Sequence, residues 1–169
     1  MPSWVTRFVH GIESVNRWIG RGAMLLIFAM MGILLYSSVM KTVSIPPLWT
    51  LEMAQFVMVA YYMLGGPYSL QQDAHVRMDL AYSRWSPRTK AAVDGVTILF
   101  LIFFLGLLLY GGISSSTYAL EYGERSYSAW RPYMAPIKIL MTVAIFLMLL
   151  QAVAVFCRNV ASARGEPLP

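Results

Sequence analysis

The sequence predicts an all-α integral membrane fold: four transmembrane helices plus an N-terminal amphipathic surface helix, in a single domain over residues 1–169. Three observations carry that expectation. The chain of 169 residues is 58% hydrophobic and only 12% charged, outside the range of soluble domains. Its charges gather in short segments between long apolar runs, so there is no polar shell to cover a soluble core. The runs themselves have membrane dimensions. From Gly22 to Met40 no charge occurs between Arg21 and Lys41, and at ~1.5 Å per residue that is about 28 Å, close to a hydrocarbon core of about 30 Å.

The leader over 3–19 places Trp4, Val5, Phe8, Ile12, Val15 and Ile19 at helical spacing, with Arg7, Glu13, Asn16 and Arg17 mostly on other faces. It is expected to lie on the membrane, with Trp4, Phe8 and Trp18 in the headgroup layer and Arg7, Arg17 and Arg21 meeting anionic lipid. The first span follows near 22–40. Pro46 and Pro47 then interrupt the chain, and Thr50 as N-cap with Glu52 in the first turn predicts a new helix. The second span covers 53–70, with Gly65, Gly66 and Pro67 near its end.

Ser86 and Pro87 have the signature of an N-cap and first helical residue, leading into a third span near 95–120. There Gly112 and Ser116, like Gly111 and Ser115, set small residues four apart, a spacing suited to close helix contact. A short polar loop over 121–138 precedes the fourth span, 139–157. Lys and Arg favour the leader (Arg7, Arg17, Arg21), the connection with Arg77, Arg84, Arg88 and Lys90, and the tail (Arg158, Arg164) over the other two loops. The positive-inside rule therefore predicts cytoplasmic termini and puts the Trp49 and Trp130 loops outside.

Net charge is +5, but the cations flank apolar runs instead of forming one patch, so no nucleic-acid partner is expected. The single cysteine, Cys157, excludes an intramolecular disulfide and is expected to pack. His10 and His75 lie outside the spans, which leaves no haem ligand at membrane depth. Neither a metal-ligand cluster nor a nucleophile motif occurs, so no cofactor and no enzyme activity are expected. The spans also lack a deeply placed ionisable residue, the usual mark of a proton or ion pathway. Polar side chains in the spans, among them Thr142 and Gln151, are expected to bond helix to helix.

The stretch Gln71 to Trp85 alternates His75, Arg77 and Asp79 with Val76, Met78 and Leu80. Taken with Trp49 and Glu52 in a Trp-x-x-Glu spacing, and with Ser126 and Ser128 before Pro132, it resembles the small membrane subunit, DctQ-like or Q component, of tripartite ATP-independent periplasmic (TRAP) transporters. The sequence departs from that pattern at Met78, where a β-branched residue is usual, and at Tyr133, where Trp is expected. The resemblance implies a bacterial inner-membrane subunit, itself not the carrier, that braces the large M component and helps dock the periplasmic solute-binding P component for sodium-driven organic acid uptake. It further implies subunit-interface roles for Trp49, Glu52, His75, Arg77, Asp79, Ser126, Ser128 and Pro132. An alternative from another class is a membrane anchor of an electron-transfer complex, against which the missing histidines count.

Overall fold

The computed structural model describes residues 3–43, 45, 47–72 and 87–163, and they form four helices. These are α1 (Ser3–Val43), α2 (Trp49–Gln71), α3 (Pro87–Glu121) and α4 (Ala135–Ala163). Three of them, over Val5–Val43, Val93–Glu121 and Ala135–Val160, are long and apolar enough to cross a membrane. Helix α2 is not among them; Gln55, Tyr61, Tyr62, Tyr68, Ser69 and Gln71 dilute its apolar character.

The surface helix expected over 3–19 is not a separate element. It continues without a break into the first span as one helix of 41 residues, about 60 Å long at ~1.5 Å per residue. Between Trp18 and Ala23 there is no proline, and a glycine costs a helix only about 1 kcal/mol, too little to end one that has contacts on both sides. Those contacts are specific. Val5 and Val9 are buried with Ala154 of α4, and Cys157 packs against the same cluster.

Side-chain pairs fix the helix directions. Ser37 meets Thr50 and Gly20 meets Tyr68, so α1 and α2 are antiparallel. Asn16 meets Gln151 and Glu13 meets Arg158, which makes α1 and α4 antiparallel. Ser116 meets Thr142 and Glu124 meets Lys138, so α3 and α4 are antiparallel too. Helix α4 is the hub, packing against all three others, whereas among the described residues α3 makes its substantial contact with α4 alone. The bundle thus has one end that gathers the α1–α2 and α3–α4 connections, the loop end, and an opposite, terminal end.

What packs between the helices is small. Ala119, Ala144, Ala152 and Ala154 are nearly inaccessible, while Leu25, Phe28, Leu35, Phe100, Phe103 and Tyr110 lie exposed. Small residues let backbones approach where lipid removes the hydrophobic incentive to bury large ones. On α3 the stripe Leu105, Ser116 and Ala119 is buried. A Cβ on Gly112 would stand 3.0 Å from Thr142 Oγ1. Of the two small-residue registers read from the sequence, Gly112 with Ser116 therefore faces α4, while Gly111 has open space around it.

Helix α2 starts slightly earlier than its sequence suggests. Its N-cap is Leu48, without a side-chain cap, so Thr50 is not the cap. Thr50 is buried instead, its Oγ1 lying 3.0 Å from both Ser37 Oγ on α1 and the Pro47 carbonyl. A tertiary partner outcompetes the local capping role that the residue type favours.

Candidate functional site

The loop end is a small ordered hairpin. Helix α3 stops because Gly123 takes φ 58°, letting the Tyr122 and Glu124 amides donate to the Tyr118 and Ala119 carbonyls at 3.0 and 3.2 Å, as in a glycine-terminated helix end. The chain then pairs across the loop. Ser126 N–H donates to the Pro132 carbonyl (3.0 Å) and Met134 N–H to the Glu124 carbonyl (2.9 Å), with an antiparallel bridge between Arg125 and Tyr133. The Arg125 guanidinium sits 4.2 Å from the centre of the Tyr133 ring and also donates to its hydroxyl. An ion pair from Lys138 to Glu124 ties the hairpin to the start of α4.

Ser126, Ser128 and Pro132 are brought together here. Ser128 Oγ accepts from the Arg131 N–H at 3.2 Å, at a residue held at φ 51°. The hairpin displays Tyr127, which is fully exposed, and Trp130. At the α1–α2 connection, Trp49 lies against Tyr36 with ring centroids 5.9 Å apart. Glu52 is half-buried, and its Oε2 has no hydrogen-bond partner among the described residues. His75, Arg77 and Asp79 lie outside the described residues.

The terminal end carries the polar contacts that sequence spacing did not reveal. Arg158 pairs with Glu13. One level deeper, Asn16 Nδ2 donates to Gln151 Oε1 at 2.7 Å, with both side chains almost completely buried. Asn16 Oδ1 and Gln151 Nε2 have no partner among the described residues. Arg7, Phe8, Arg17 and Trp18 all lie on the exposed side of α1. Asn16, grouped by sequence with the polar positions of the leader, in fact continues the Val5, Val9 and Ile12 spacing, where an amide asks for a partner elsewhere in the fold.

None of this assembles a reaction centre. Among the described residues no group of three His, Cys, Asp or Glu could hold a metal ion, and the Asp, Glu, Lys, Arg and His side chains sit toward the two ends of the bundle. What the arrangement offers is surface: an aromatic hairpin at one end, apolar helix flanks, and a basic margin at the other end. Neither a curated protein nor a solved structure matches the chain. The family model described as "Tripartite ATP-independent periplasmic transporters, DctQ component" matches residues 30–162, which spans α2, α3, nearly all of α4 and the latter part of α1. The chain therefore belongs to the DctQ family, the small membrane subunits of TRAP transporters.

Proposed function

We propose that this subunit braces the large membrane subunit of a TRAP transporter and helps dock the periplasmic solute-binding protein during sodium-driven organic acid uptake. The observation that carries the bracing role is α3. Among the described residues its substantial contact is with α4, and its Phe100, Phe103, Phe104, Leu107 and Tyr110 point away from the bundle, a broad apolar wall suited to a second membrane protein. The hairpin supports the docking role, because its cross-loop hydrogen bonds and ion pair present Tyr127 and Trp130 without a large ordering cost on binding.

In this reading all four helices cross the inner membrane, α2 shielded by its contacts with α1 and α4. Both termini are cytoplasmic, and Arg7, Phe8, Arg17 and Trp18 sit in the headgroup layer of that face. Trp49 and Glu52 then belong to the periplasmic side of the subunit interface, and the His75, Arg77 and Asp79 segment to its cytoplasmic side. Coexpression with the large subunit tests this. Phe100→Ser/Phe103→Ser should reduce copurification in detergent, whereas Tyr127→Ala/Trp130→Ala should leave copurification intact and lower solute uptake in vesicles supplied with the binding protein. Sodium-dependent accumulation by vesicles holding this chain alone would overturn the proposal.

A further inference from the structure

Two cavities at the terminal end adjoin each other across one tyrosine. The first, of about 430 Å³, is lined by Glu13, Arg17, Arg21 and Arg158 together with Tyr68, Gln71 and Gln72. Glu13, Arg17 and Arg21 recur every four residues along α1, so they share a face. Glu13 is taken up by Arg158, which leaves Arg17 and Arg21 as two guanidinium groups with no ion pair among the described residues. Gln71 Oε1 is buried there without a hydrogen-bond partner among the described residues.

The second cavity, of about 450 Å³, is an apolar groove between α1 and α2 lined by Ala23, Met24, Tyr61, Gly65 and Gly66, and it shares Tyr68 and Gln72 with the first. Glycine makes the junction possible, since a Cβ on Gly20 would stand 2.6 Å from Tyr68 Cβ and Cγ. The level of this junction follows from the sequence. The charge-free run of α1 begins just after Arg21, that of α4 ends just before Arg158, and α2 ends at Gln71. All three residues line the same cavity, so the boundary between hydrocarbon and water passes through it.

We infer that this paired cavity is a binding site for one anionic glycerophospholipid, with the headgroup phosphate at Arg17 and Arg21 and an acyl chain in the Ala23–Gly65 groove. The charge matches, because the cavity holds three guanidinium groups against one carboxylate. So does the polarity gradient, from guanidinium through Tyr68 and Gln72 to glycine and methionine over the thickness at which a phospholipid makes the same change. A free phosphate would use the first cavity only; a zwitterionic lipid sets its own cation beside its phosphate and so gains less from the two arginines than an anionic one.

The test uses the full-length purified chain in detergent, stripped of lipid and titrated with phosphatidylglycerol or phosphatidylcholine of identical acyl chains, with bound lipid counted by native mass spectrometry. Wild type should hold one phosphatidylglycerol in preference to phosphatidylcholine. Arg17→Gln/Arg21→Gln should weaken phosphatidylglycerol about 30-fold, from the usual contribution of two basic residues near anionic lipid, and Arg17→Lys/Arg21→Lys should retain most of the preference. Gly65→Leu, whose side chain enters open space, should weaken both lipids by filling the groove. Both arginines are exposed, so circular dichroism of their variants should match wild type. Equal retention of the two lipids by wild type, an unchanged preference in the double glutamine variant, or displacement of the lipid by excess inorganic phosphate would each overturn the inference.

Discussion

The buried Asn16–Gln151 pair makes a prediction whose sign differs between single and double substitution. In the native bundle it has one hydrogen bond of 2.7 Å and two polar atoms, Asn16 Oδ1 and Gln151 Nε2, with no partner among the described residues. Gln151→Met keeps the length of the side chain, removes the bond and one unpartnered atom, and leaves Asn16 with two. Asn16→Leu keeps the branching and does the reverse to Gln151. Each single variant therefore loses one hydrogen bond at an unchanged number of unpartnered atoms, and should be destabilised by about 1 kcal/mol, between the averages for bonds in membrane helices and in soluble proteins. The double variant loses the same bond but leaves no polar atom behind. Relief of two buried groups at about 1–3 kcal/mol each exceeds the bond, so the double variant should be more stable than wild type by at least about 1 kcal/mol. Equilibrium unfolding in mixed detergent micelles, followed by circular dichroism for all four proteins, closes the cycle. A double variant less stable than either single one would refute the reasoning, since it would mean that the amides together contribute more than their unpartnered atoms cost.

Other perturbations have equally direct outcomes. Gly20→Ala should destabilise by about 1–3 kcal/mol despite the gain in helix propensity, because its Cβ would fall 2.6 Å from Tyr68 Cβ; Gly65→Ala, in open space, should stabilise by about 0.5–1 kcal/mol, and thermal unfolding of the two variants reads the difference. Lys138→Ala removes the ion pair that ties the hairpin to α4. It should cost no more than about 1 kcal/mol globally while hydrogen exchange at the Ser126 and Met134 amides accelerates. Arg131→Gly should stabilise by about 0.5–1 kcal/mol, since residue 131 sits at φ 51°, where a side chain is strained and glycine is not; an unchanged melting temperature would count against that strain.

Much of the fold was legible because local chemistry and global packing agree. Pro87 opens α3 as its ring geometry dictates, and the Gly112–Ser116 spacing does mark the α3–α4 seam. Thr142 and Gln151 bond across helices as expected of polar groups in an apolar bundle. The misjudged features are those where a distant contact decides. The amphipathic spacing over 3–19 and the charge-free run over 22–40 read as two elements, yet Val5, Val9 and Asn16 pack on α4 and hold α1 as one rod. Thr50 has the chemistry of a cap and serves Ser37 instead. Between the last two spans the sequence showed a short polar loop over 121–138 but not its cross-loop pairing, because that pairing depends on the left-handed Gly123 and Arg131 positions. The basic cavity joins α1, α2 and α4, and no local window contains residues so far apart.

The helix that touches all the others is also the last of the four to leave the ribosome. Until Ala135–Ala163 has been inserted, α3 lacks its one substantial neighbour among the described residues, Asn16 has no amide to meet, and the first two helices can only clasp each other. Biogenesis of this subunit must therefore pass through a state in which half-finished helices wait side by side in lipid, and assembly is completed in one late event rather than hairpin by hairpin. A chain truncated before Ala135 should accordingly be degraded in cells, while the four helices expressed as two fragments split between α3 and α4 should reassemble.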